Sequence, residues 1–497
     1  MNEGVRVLPS GWANSKISDF AIMSSGGTPS RKQSNYYDGN IPWAKIGDLD
    51  DGYVRETEEA VSDEGLKKSS AKLMPENTLL LAMYGASIGK LGITKIPLST
   101  NQAIACIRPK DSISVEYLFH FFKLSRRDLI KLGQGGAQPN ISQTILKRID
   151  VPIAPVKEQE RIVDKIDELF SAIEAGERAI EQARVGVARY RKAILKAAVT
   201  GELTRDWRDE HPTEESAEAL LKRILTARYE AWEKSELEKL DAKGKARPET
   251  EKQWEKFREK YTPPVKPVED FSFSIPENWK LVSVEAVTSA ARVISYGVLQ
   301  PGKEFSGGTR LVRVCDIKKG RIEQSKIKKI DPNIAEKYQR TFLRGGELLI
   351  TLVGTVGRTA IVKEPLVGAN VARAVGVLTV SENVNTHWLK FCFNEEKSKQ
   401  NLIGSSREVA RKTLNLEQLR SFPVPLPPLA EQTEIVNRVE QALSKAAAVE
   451  ATLDAQSRQA KALKQAVLKT AFEGRLVPQN PKDEPASELL KRIKEQT

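Results

Sequence analysis

The residues that could take part in chemistry are few and are spread along the chain. Gly85–Leu91, GASIGKL, is close to a phosphate-binding loop, but its glycine spacing is one residue short and Leu91 replaces the Mg²⁺-holding Ser or Thr. The histidines, His120, His211 and His387, are too scattered for a metal site or a catalytic triad. Neither Asn-Pro-Pro-Tyr nor Asp-Pro-Pro-Tyr, the motif of adenine methylation, occurs. We therefore predict a chain without catalytic residues, bound metal or a cofactor of its own.

Basic and amide side chains favour polyanion binding instead. A Gly-rich turn brings backbone and a cation close to a phosphate, and Gly89-Lys90 has a counterpart in Gly357-Arg358. Asn and Gln can pair bidentately with adenine, which makes the loop GQGGAQPN a candidate for reading base edges. The alternative for each residue is a solvated charged surface. The candidates are Arg31, Lys32, Lys45, Lys90, Gln134, Gln138 and Asn140, with Arg313, Lys318, Lys319 and Arg358 in the second half of the chain.

Composition agrees with nucleic acid as the partner. The 497 residues contain 78 Lys plus Arg against 66 Asp plus Glu, giving a net charge of +12. The length predicts several domains. Cys106, Cys315 and Cys392 are far apart and suggest a reducing cytosol rather than disulfides or zinc. We expect no membrane span and no signal peptide, and hence a cytoplasmic protein.

The elements that would position these residues occur twice in the chain. The segment from Val151 to Val163 recurs from Val424 to Val436, 273 positions later, and the same offset relates Gly201 to Gly474. A constant offset over fifty residues means that this segment contains no insertion or deletion, so its length matters.

The segments before these repeats resemble each other less closely. Ser24–Pro109 and Ser295–Val380 carry short β-type runs punctuated by Gly and Pro, and the offset between them drifts from 267 to 269. Variable modules on a frame of fixed length are the pattern expected of a recognition device. Such a device would read two separated sites on one rod-like ligand.

Each repeat begins with a proline cluster and continues as a long helix. Apolar residues alternate at spacings of four and three over five heptads, which predicts a coiled coil rather than a helix lying on a globular core. Small residues in this pattern, such as Gly176 and Ala183, would let two backbones approach closely. We assign the seam to Ile162, Ile166, Leu169, Ile173, Ile180, Val187 and Ile194, and to Ile435, Val439, Val449, Leu453, Leu463 and Val467.

The order of these elements closely resembles the specificity subunit of type I restriction–modification enzymes. The resemblance covers essentially the whole chain, and PIAPVKEQERIVDKIDELF and PVPLPPLAEQTEIVNRVEQAL are its most specific parts. It implies an α+β fold: two mixed α/β target recognition domains in pseudo-two-fold arrangement, separated by two long helices that form an antiparallel coiled coil. Each domain would read half of a bipartite site in double-stranded DNA.

The resemblance also implies partners. Two modification (methyltransferase) subunits would dock on the helices and bring S-adenosylmethionine, and restriction subunits would bring ATP and Mg²⁺. Forty helical residues span about 60 Å at about 1.5 Å each, enough to separate two half-sites. Two alternatives stay open: a DNA methyltransferase with fused recognition domains, and a coiled-coil scaffold without DNA specificity.

The expected boundaries divide the chain into six segments. The first recognition domain takes residues 1–150, the first helix 151–204, a charged helical insert and linker 205–270, the second recognition domain 271–423, the second helix 424–478 and the tail 479–497. The insert, with both charge signs nearly balanced, is expected to be a solvated helical spacer.

Overall fold

The computed structural model describes residues 8–110, 112–133, 139–212, 215–268, 273–404 and 413–495. The chain divides into two compact units, Met1–Gln182 with Leu453–Thr497 and Ala183–Thr452. We call them unit 1 and unit 2. Each contains one mixed α/β module and part of both long helices. The first module is residues 8–155 and the second is residues 273–428.

The first module is built on a five-stranded sheet, β2-β9-β6-β7-β4, beside a three-stranded sheet, β5-β3-β8, and the pair β1-β10. Its elements are β1 (Ala13–Lys16), α1 (Ile17–Phe20), β2 (Ala21–Ser25), β3 (Ile41–Ala44), β4 (Gly52–Val54), β5 (Glu59–Val61), α2 (Asp63–Lys67), β6 (Leu79–Ala82), β7 (Leu91–Thr94), β8 (Ser99–Thr100), β9 (Ile104–Pro109), α3 (Val115–Leu132), α4 (Gln143–Lys147) and β10 (Asp150–Ile153).

The central strand β6 explains why the module folds around this sheet. Its four residues are fully buried, and successive side chains enter different cores. Leu79 and Leu81 pack with Phe122 of α3, whereas Leu80 packs with Cys106 on the other face. An unbroken apolar run is what a strand covered on both faces requires.

Two long helices follow the modules: α5 (Val156–Val199) and, after the second module, α13 (Leu429–Phe472), each of 44 residues. Gly201 and Gly474 follow their ends with φ of +75° and +66°, the left-handed conformation that stops a helix. Between α5 and the second module the described residues form three further α-helices: α6 (Arg205–Glu210), α7 (Ala217–Ala242) and α8 (Glu251–Arg258).

The second module repeats the design with a four-stranded sheet, β12-β20-β17-β18, a three-stranded sheet, β16-β13-β19, and the pairs β14-β15 and β11-β21. Its elements are β11 (Lys280–Ser283), β12 (Ser295–Tyr296), β13 (Thr309–Val312), β14 (Ile317–Lys318), β15 (Arg321–Ile322), β16 (Lys328–Ile330), α9 (Pro332–Glu336), β17 (Leu348–Thr351), β18 (Thr359–Ile361), β19 (Asn370–Val371), β20 (Val375–Leu378), α10 (Thr386–Asn394), α11 (Glu396–Gly404), α12 (Leu416–Arg420) and β21 (Pro423–Leu426). A further helix, α14 (Ala486–Glu495), comes after α13.

Within each unit the two long helices run antiparallel. In unit 1 the beginning of α5 packs against the end of α13, where Phe170 shares a core with Leu468. In unit 2 the end of α5 packs against the beginning of α13, where Val199 shares a core with Ile435 and Val439. The predicted pairing of the helices is therefore confirmed within each unit.

The predicted seam was wrong at alternate positions in the middle of the helices. In α5 Ile173 and Ile180 are half-buried, but the line between them passes through Glu177 rather than Gly176, which is exposed. In α13 Val449 and Leu463 are 46% and 49% exposed. The positions one residue later take their place: Glu177, Arg184 and Arg191 in α5, and Glu450, Ser457 and Lys464 in α13.

Ion pairs explain the shift. Arg191 Nη2 lies 3.0 Å from Glu450 Oε2 in unit 2, and Lys464 Nζ lies 2.9 Å from Glu177 Oε2 in unit 1. Long charged side chains can cover the seam with their aliphatic stems while their charged ends pair across it. A heptad count treats such residues as outward-facing, so it selects their apolar neighbours.

The insert is not a solvated spacer, which corrects the prediction. Leu220 and Ile224 of α7 are at most 1% exposed and belong to the core of unit 2. Arg228 of the same helix is buried and donates to the carbonyl of Thr288. Helix α14, whose sequence ASELLKRI resembles SAEALLKRI at the start of α7, likewise buries Leu489 in the core of unit 1. The nearly balanced charges therefore did not indicate that α7 and α14 each have one apolar face.

Candidate DNA interface

The Gly-rich turn of the first module joins β6 to β7. Gly85 and Gly89 have φ of +61° and +79°, a region that residues with a Cβ rarely adopt. The turn is closed by hydrogen bonds from the Ala82 amide to the Lys90 carbonyl and from the Gly89 amide to the Ala82 carbonyl, both 2.9 Å. Lys90 is thereby held at the end of the central strand. The predicted Gly-rich turn is confirmed.

The second module contains the same turn between β17 and β18. Gly354 and Gly357 have φ of +77° and +80°. The Thr351 amide donates to the Arg358 carbonyl and the Gly357 amide to the Thr351 carbonyl, again both at 2.9 Å. Arg358 thus occupies the place of Lys90, and its Nη1 lies 3.3 Å from the Ile317 carbonyl. Two modules of different sequence hold a cation at one structural position.

A polar loop lies against this turn in the first module. Exposed Asn140 forms a β-bridge with Tyr84, and the Gly85 amide donates to the Pro139 carbonyl at 2.8 Å. The structure therefore brings Asn140 next to the turn that carries Lys90. Gln134 and Gln138 lie outside the described residues.

The other cations of the first module differ in their ion pairs. Arg31 Nη1 lies 2.7 Å from Glu59 Oε2, and Lys45 Nζ lies 2.8 Å from Glu58 and 2.6 Å from Glu59. Hydrogen bonds donated by Arg31 and Lys45 lower the pKa of Glu59, and the bonds that Lys45 donates to Glu58 and Glu59 raise the pKa of Lys45. Lys32 is exposed, and within the described part of the chain no carboxylate pairs with it.

The cations of the second module meet at one groove. Arg313, Lys318 and Arg358 line a cavity of about 560 Å³ together with Gly354. Arg313 forms a bidentate pair with Asp316, at 3.0 and 2.9 Å, and Lys318 pairs with Glu323 at 2.6 Å. The groove therefore combines neutralised cations with Arg358, for which no carboxylate partner is found among the described residues.

Exposed Lys319 follows directly with φ of +49°. Among the residues that the structure describes, no carboxylate is paired with it. The backbone turn rather than an ion pair presents this cation.

The Glu-Gln dipeptide that occurs in both repeats, Glu158-Gln159 and Glu431-Gln432, attaches each module to its long helix. The sequence analysis did not predict this role. Gln159 Oε1 accepts from the Ser114 amide at 3.0 Å, and Gln432 Oε1 accepts from the Asn385 amide at 2.9 Å. Ser114 and Asn385 are the N-caps of α3 and α10. The strict repetition of the pair was the available signal. Both glutamines join a module helix to the start of α5 or α13.

The glutamate of the pair is buried in both units, and its hydrogen bonds are more complete in unit 2. Glu431 accepts from Trp279 Nε1 and Thr204 Oγ1, each at 2.8 Å, and from Arg208. In unit 1, Oε1 of buried Glu158 has no hydrogen-bond partner among the described residues. Burial raises the pKa of Glu158 by more than the Trp12 side chain and the charge of Arg161 lower it. The two copies of this junction are therefore electrostatically different.

The comparisons with known proteins identify the family. The model of the type I restriction modification DNA specificity domain matches residues 9–182 and 303–456, more than half of the chain. The chain belongs to this family. The predicted resemblance to type I specificity subunits is confirmed, and the two alternative functions are not supported. Specificity subunits are the non-catalytic, DNA-recognising members of type I restriction enzymes.

Individual relatives agree with this assignment. The chain is 30% identical over 364 residues to the EcoBI specificity subunit of Escherichia coli, covering 71% of this chain and 66% of that relative. It is 23% identical over 518 residues to the EcoKI specificity subunit of Escherichia coli strain K12, covering 98% of this chain and 96% of the relative.

Solved structures show the same fold at low sequence identity. A chain from a study of complex assembly and conformational transition of the type I R-M system has a TM-score of 0.63 at 15% identity, covering 94% of this chain and 99% of that one. The HsdS subunit from Thermoanaerobacter tengcongensis has a TM-score of 0.50 at 16% identity, covering 96% and 100%. The predicted class, two mixed α/β domains separated along the chain by a long helix, is confirmed.

No metal-binding group and no membrane span is found within the described residues. No three His, Cys, Asp or Glu side chains there are arranged to hold a metal ion. No helix among them is long and apolar enough to cross a membrane.

Proposed function

We propose that this specificity subunit reads a bipartite sequence in double-stranded DNA, one half with each module. The observation that carries the proposal is the Gly-rich turn that is built twice, with Lys90 in one module and Arg358 in the other. A cation beside exposed backbone suits a phosphate, which fixes register, and an adjacent amide such as Asn140 suits a base edge.

The free cations support phosphate contacts better than the paired ones. Lys32, Lys90 and Lys319 have no carboxylate partner among the described residues, so binding DNA would not require breaking an ion pair. Arg31, Lys45, Arg313 and Lys318 would have to exchange a carboxylate for a phosphate or bind with a smaller gain. We retain all of them as interface residues and expect the free cations to contribute most. Gln134 and Gln138 remain proposed readers of base edges.

We also propose that the long helices dock two modification subunits and that these supply S-adenosylmethionine, while restriction subunits supply ATP and Mg²⁺ chemistry. Exposed apolar residues support this: Val449 and Tyr190 are 46% and 44% exposed and line a shallow groove with Ala446 in unit 2. Exposed apolar surface of this kind is typical of protein interfaces. We place the domain boundaries as predicted from the sequence and the complex in the cytoplasm, where DNA is available.

Methylation mapping tests the proposal directly. The full chain would be expressed with its modification subunit in a host without adenine methylation, and methyladenine would be mapped in the host chromosome. We expect one split motif with two specific halves and a non-specific spacer. A contiguous motif, or no methylation when the complex has assembled, would contradict the proposal. Binding of labelled S-adenosylmethionine by the chain alone would favour the methyltransferase alternative.

A further inference from the structure

In the first module, the ion pair between Arg126 and Asp51 contacts the backbone on both sides of Lys90. Arg126 of α3 donates from Nε to the Gly89 carbonyl at 2.7 Å and from Nη1 to Asp51 Oδ2 at 2.7 Å, and its Nη2 also contacts Asp51. Asp51 Oδ1 accepts from the Leu91 amide at 3.0 Å. Gly89 and Leu91 flank Lys90, so the pair fixes the backbone immediately before and after it.

The backbone conformation of Asp51 is energetically unfavourable, which indicates that its contacts have a functional role. Asp51 has φ of +64°, which is uncommon for a residue with a Cβ, and its amide donates back to the Leu91 carbonyl at 3.0 Å. Burial by itself would raise the pKa of Asp51, but the hydrogen bonds from Arg126 and from the Leu91 amide outweigh it and lower the pKa. Asp51 is therefore an ionised acceptor dedicated to this turn.

Among the described residues the second module lacks this clamp, although it has the same turn before it. Asp48 and Asp316 occupy equivalent places, each with its amide 3.0 Å from the carbonyl three residues earlier. Three residues after Asp316 stands Lys319, with φ of +49°, where the first module has Asp51. A Cβ on Gly357 would lie 3.6 Å from Lys399 Cγ, the place that Arg126 takes beside Gly89. Within the described part of the chain, the clamp therefore occurs in the first module alone.

We propose that Arg126 is a positioning residue for the DNA half-site read by the first module. It sets the Gly-rich turn through Asp51 and the Gly89 carbonyl, and thereby the placement of Lys90 and of Asn140, which lies beside the same turn. The inference rests on the proposed function and deepens it. It assigns a specificity role to a side chain whose contacts are with the protein.

Four variants of the full chain, each in complex with its modification subunit, test this role. Arg126→Ala removes the clamp, Arg126→Lys keeps the charge, and Asp51→Asn removes the negative charge and one of the two acceptor oxygens with a residue that tolerates positive φ. Arg127→Ala is the matched control, because Arg127 is exposed on the same helix and its replacement removes the same charge. The probes are duplexes carrying the motif mapped for the wild type, or that motif with single base changes in either half.

We expect Arg126→Ala and Asp51→Asn to lower discrimination in the first module's half by about tenfold, comparable to one lost base contact, and to leave the other half within about twofold. Arg126→Lys should be intermediate, and Arg127→Ala should match the wild type. Since the Asp51 carboxylate cannot bind phosphate, its agreement with Arg126→Ala separates positioning from direct DNA contact.

Two results would overturn the inference. One is equal half-site discrimination in Arg126→Ala and Arg127→Ala. The other is an Arg126→Ala variant that weakens all duplexes alike and flattens the salt dependence while Asp51→Asn behaves as wild type, which would make Arg126 a phosphate contact. If Arg126→Ala does not assemble, Asp51→Asn and Arg126→Lys decide by the same comparison. Failure of the proposed function itself would appear differently, as a wild type without a split motif.

Discussion

At the scale of single residues, the partner of each cation matters more than its position in the sequence. Lys45 has two carboxylates within 2.8 Å, whereas Lys90 has none within the described residues, although the sequence selects both as phosphate ligands. An ion pair that must be exchanged for a phosphate yields little net free energy. The structure therefore ranks the candidate phosphate ligands, whereas the sequence only identifies them.

This ranking predicts a difference in salt dependence. Replacing Lys90 or Arg358 with Ala should weaken DNA binding and reduce the slope of log K against log salt concentration by about 0.9 for each lost contact. Replacing Lys45 with Ala should change the slope less, because its charge is already compensated. Titrations of the assembled complex at several salt concentrations measure this. A slope that falls most in the Lys45 variant would refute this ranking, and an unchanged slope in all three variants would show that the chosen face is wrong.

Replacing the two buried glutamates with glutamine should change the stability of the protein in opposite directions. Glu431→Gln leaves Arg208 without its buried partner and should cost about 3 kcal/mol of stability. Glu158 has a pKa raised by burial, so the folded state holds its proton more tightly than the unfolded state. Stability should then fall as pH rises from the unfolded to the folded pKa, and the penalty is complete above the latter.

Glu158→Gln removes that penalty. Relative to the wild type, the Gln variant should gain stability on going from about pH 4, near the unfolded carboxyl pKa, to about pH 7.5. Urea denaturation at both values measures the change, with Glu431→Gln as the contrasting variant. A relative stability of Glu158→Gln that is constant with pH would mean that Glu158 finds a partner in solution.

At the scale of elements, the long helices carry two kinds of apolar residue. Leu453 is 7% exposed and packs within the chain, whereas Tyr190 and Val449 are 44% and 46% exposed. The heptad rule assigns Val449 and Leu453 to one seam. Charged residues that pair across the helices displace Val449 to an outer face, where it is available to a partner.

This division predicts separable effects. Tyr190→Ser with Val449→Ser should leave the unfolding transition nearly unchanged and weaken association with the modification subunit. Leu453→Ala should lower stability by about 2 kcal/mol or more, because it opens a cavity. Thermal unfolding and co-purification of the modification subunit distinguish the two. Normal assembly of the double Ser variant would place the docking surface elsewhere.

The constant length of the helices predicts that they determine the spacer in the DNA motif. One heptad inserted after Ile180 and another near Leu453 preserve the repeat of about 3.5 residues and add about 10 Å to each helix. The insertion points lie between the residues of the two ion pairs, Glu177 with Lys464 and Arg191 with Glu450. The half-site sequences should persist while the spacer changes or activity is lost. Unaltered methylation of the original motif would exclude the helices as the ruler.

At the scale of the whole molecule, each module is bound to a helix start by the same device and carries its own turn. Gln159 and Gln432 make equivalent bonds, while Asp51 and Lys319 occupy equivalent places with opposite charge. The two modules therefore attach to the long helices in the same way but differ in the residues of the proposed DNA-binding surface. This is the arrangement that permits one module to change without the other.

Module exchange tests this independence. Replacing residues 1–150 with the corresponding module of a relative should change one half of the methylated motif and leave the half read by residues 271–423, because well-separated sites couple weakly. Assembly should persist, since α5 and α13 are unchanged. Methylation mapping of the hybrid is the measurement, and a change in both halves would refute modular reading.

Features that depend on neighbouring residues could be predicted from the amino-acid sequence. The repeat offset of 273, the glycines that stop the helices and the glycines of the two turns could be read directly, because positive φ and helix ends depend on a few adjacent residues. The family and the class of fold could be predicted from the same repeated elements.

The side-chain contacts, in contrast, required the folded chain. Arg126 and Asp51 are 75 positions apart, and Thr204 and Glu431 are 227 apart, so no local pattern indicates either contact. The phase of the helical seam belongs here too, since ion pairs between the helices, not hydrophobicity along one helix, select the buried line. Long-range pairing of charged groups needs the folded backbone to bring them together, and that information is absent from any single segment.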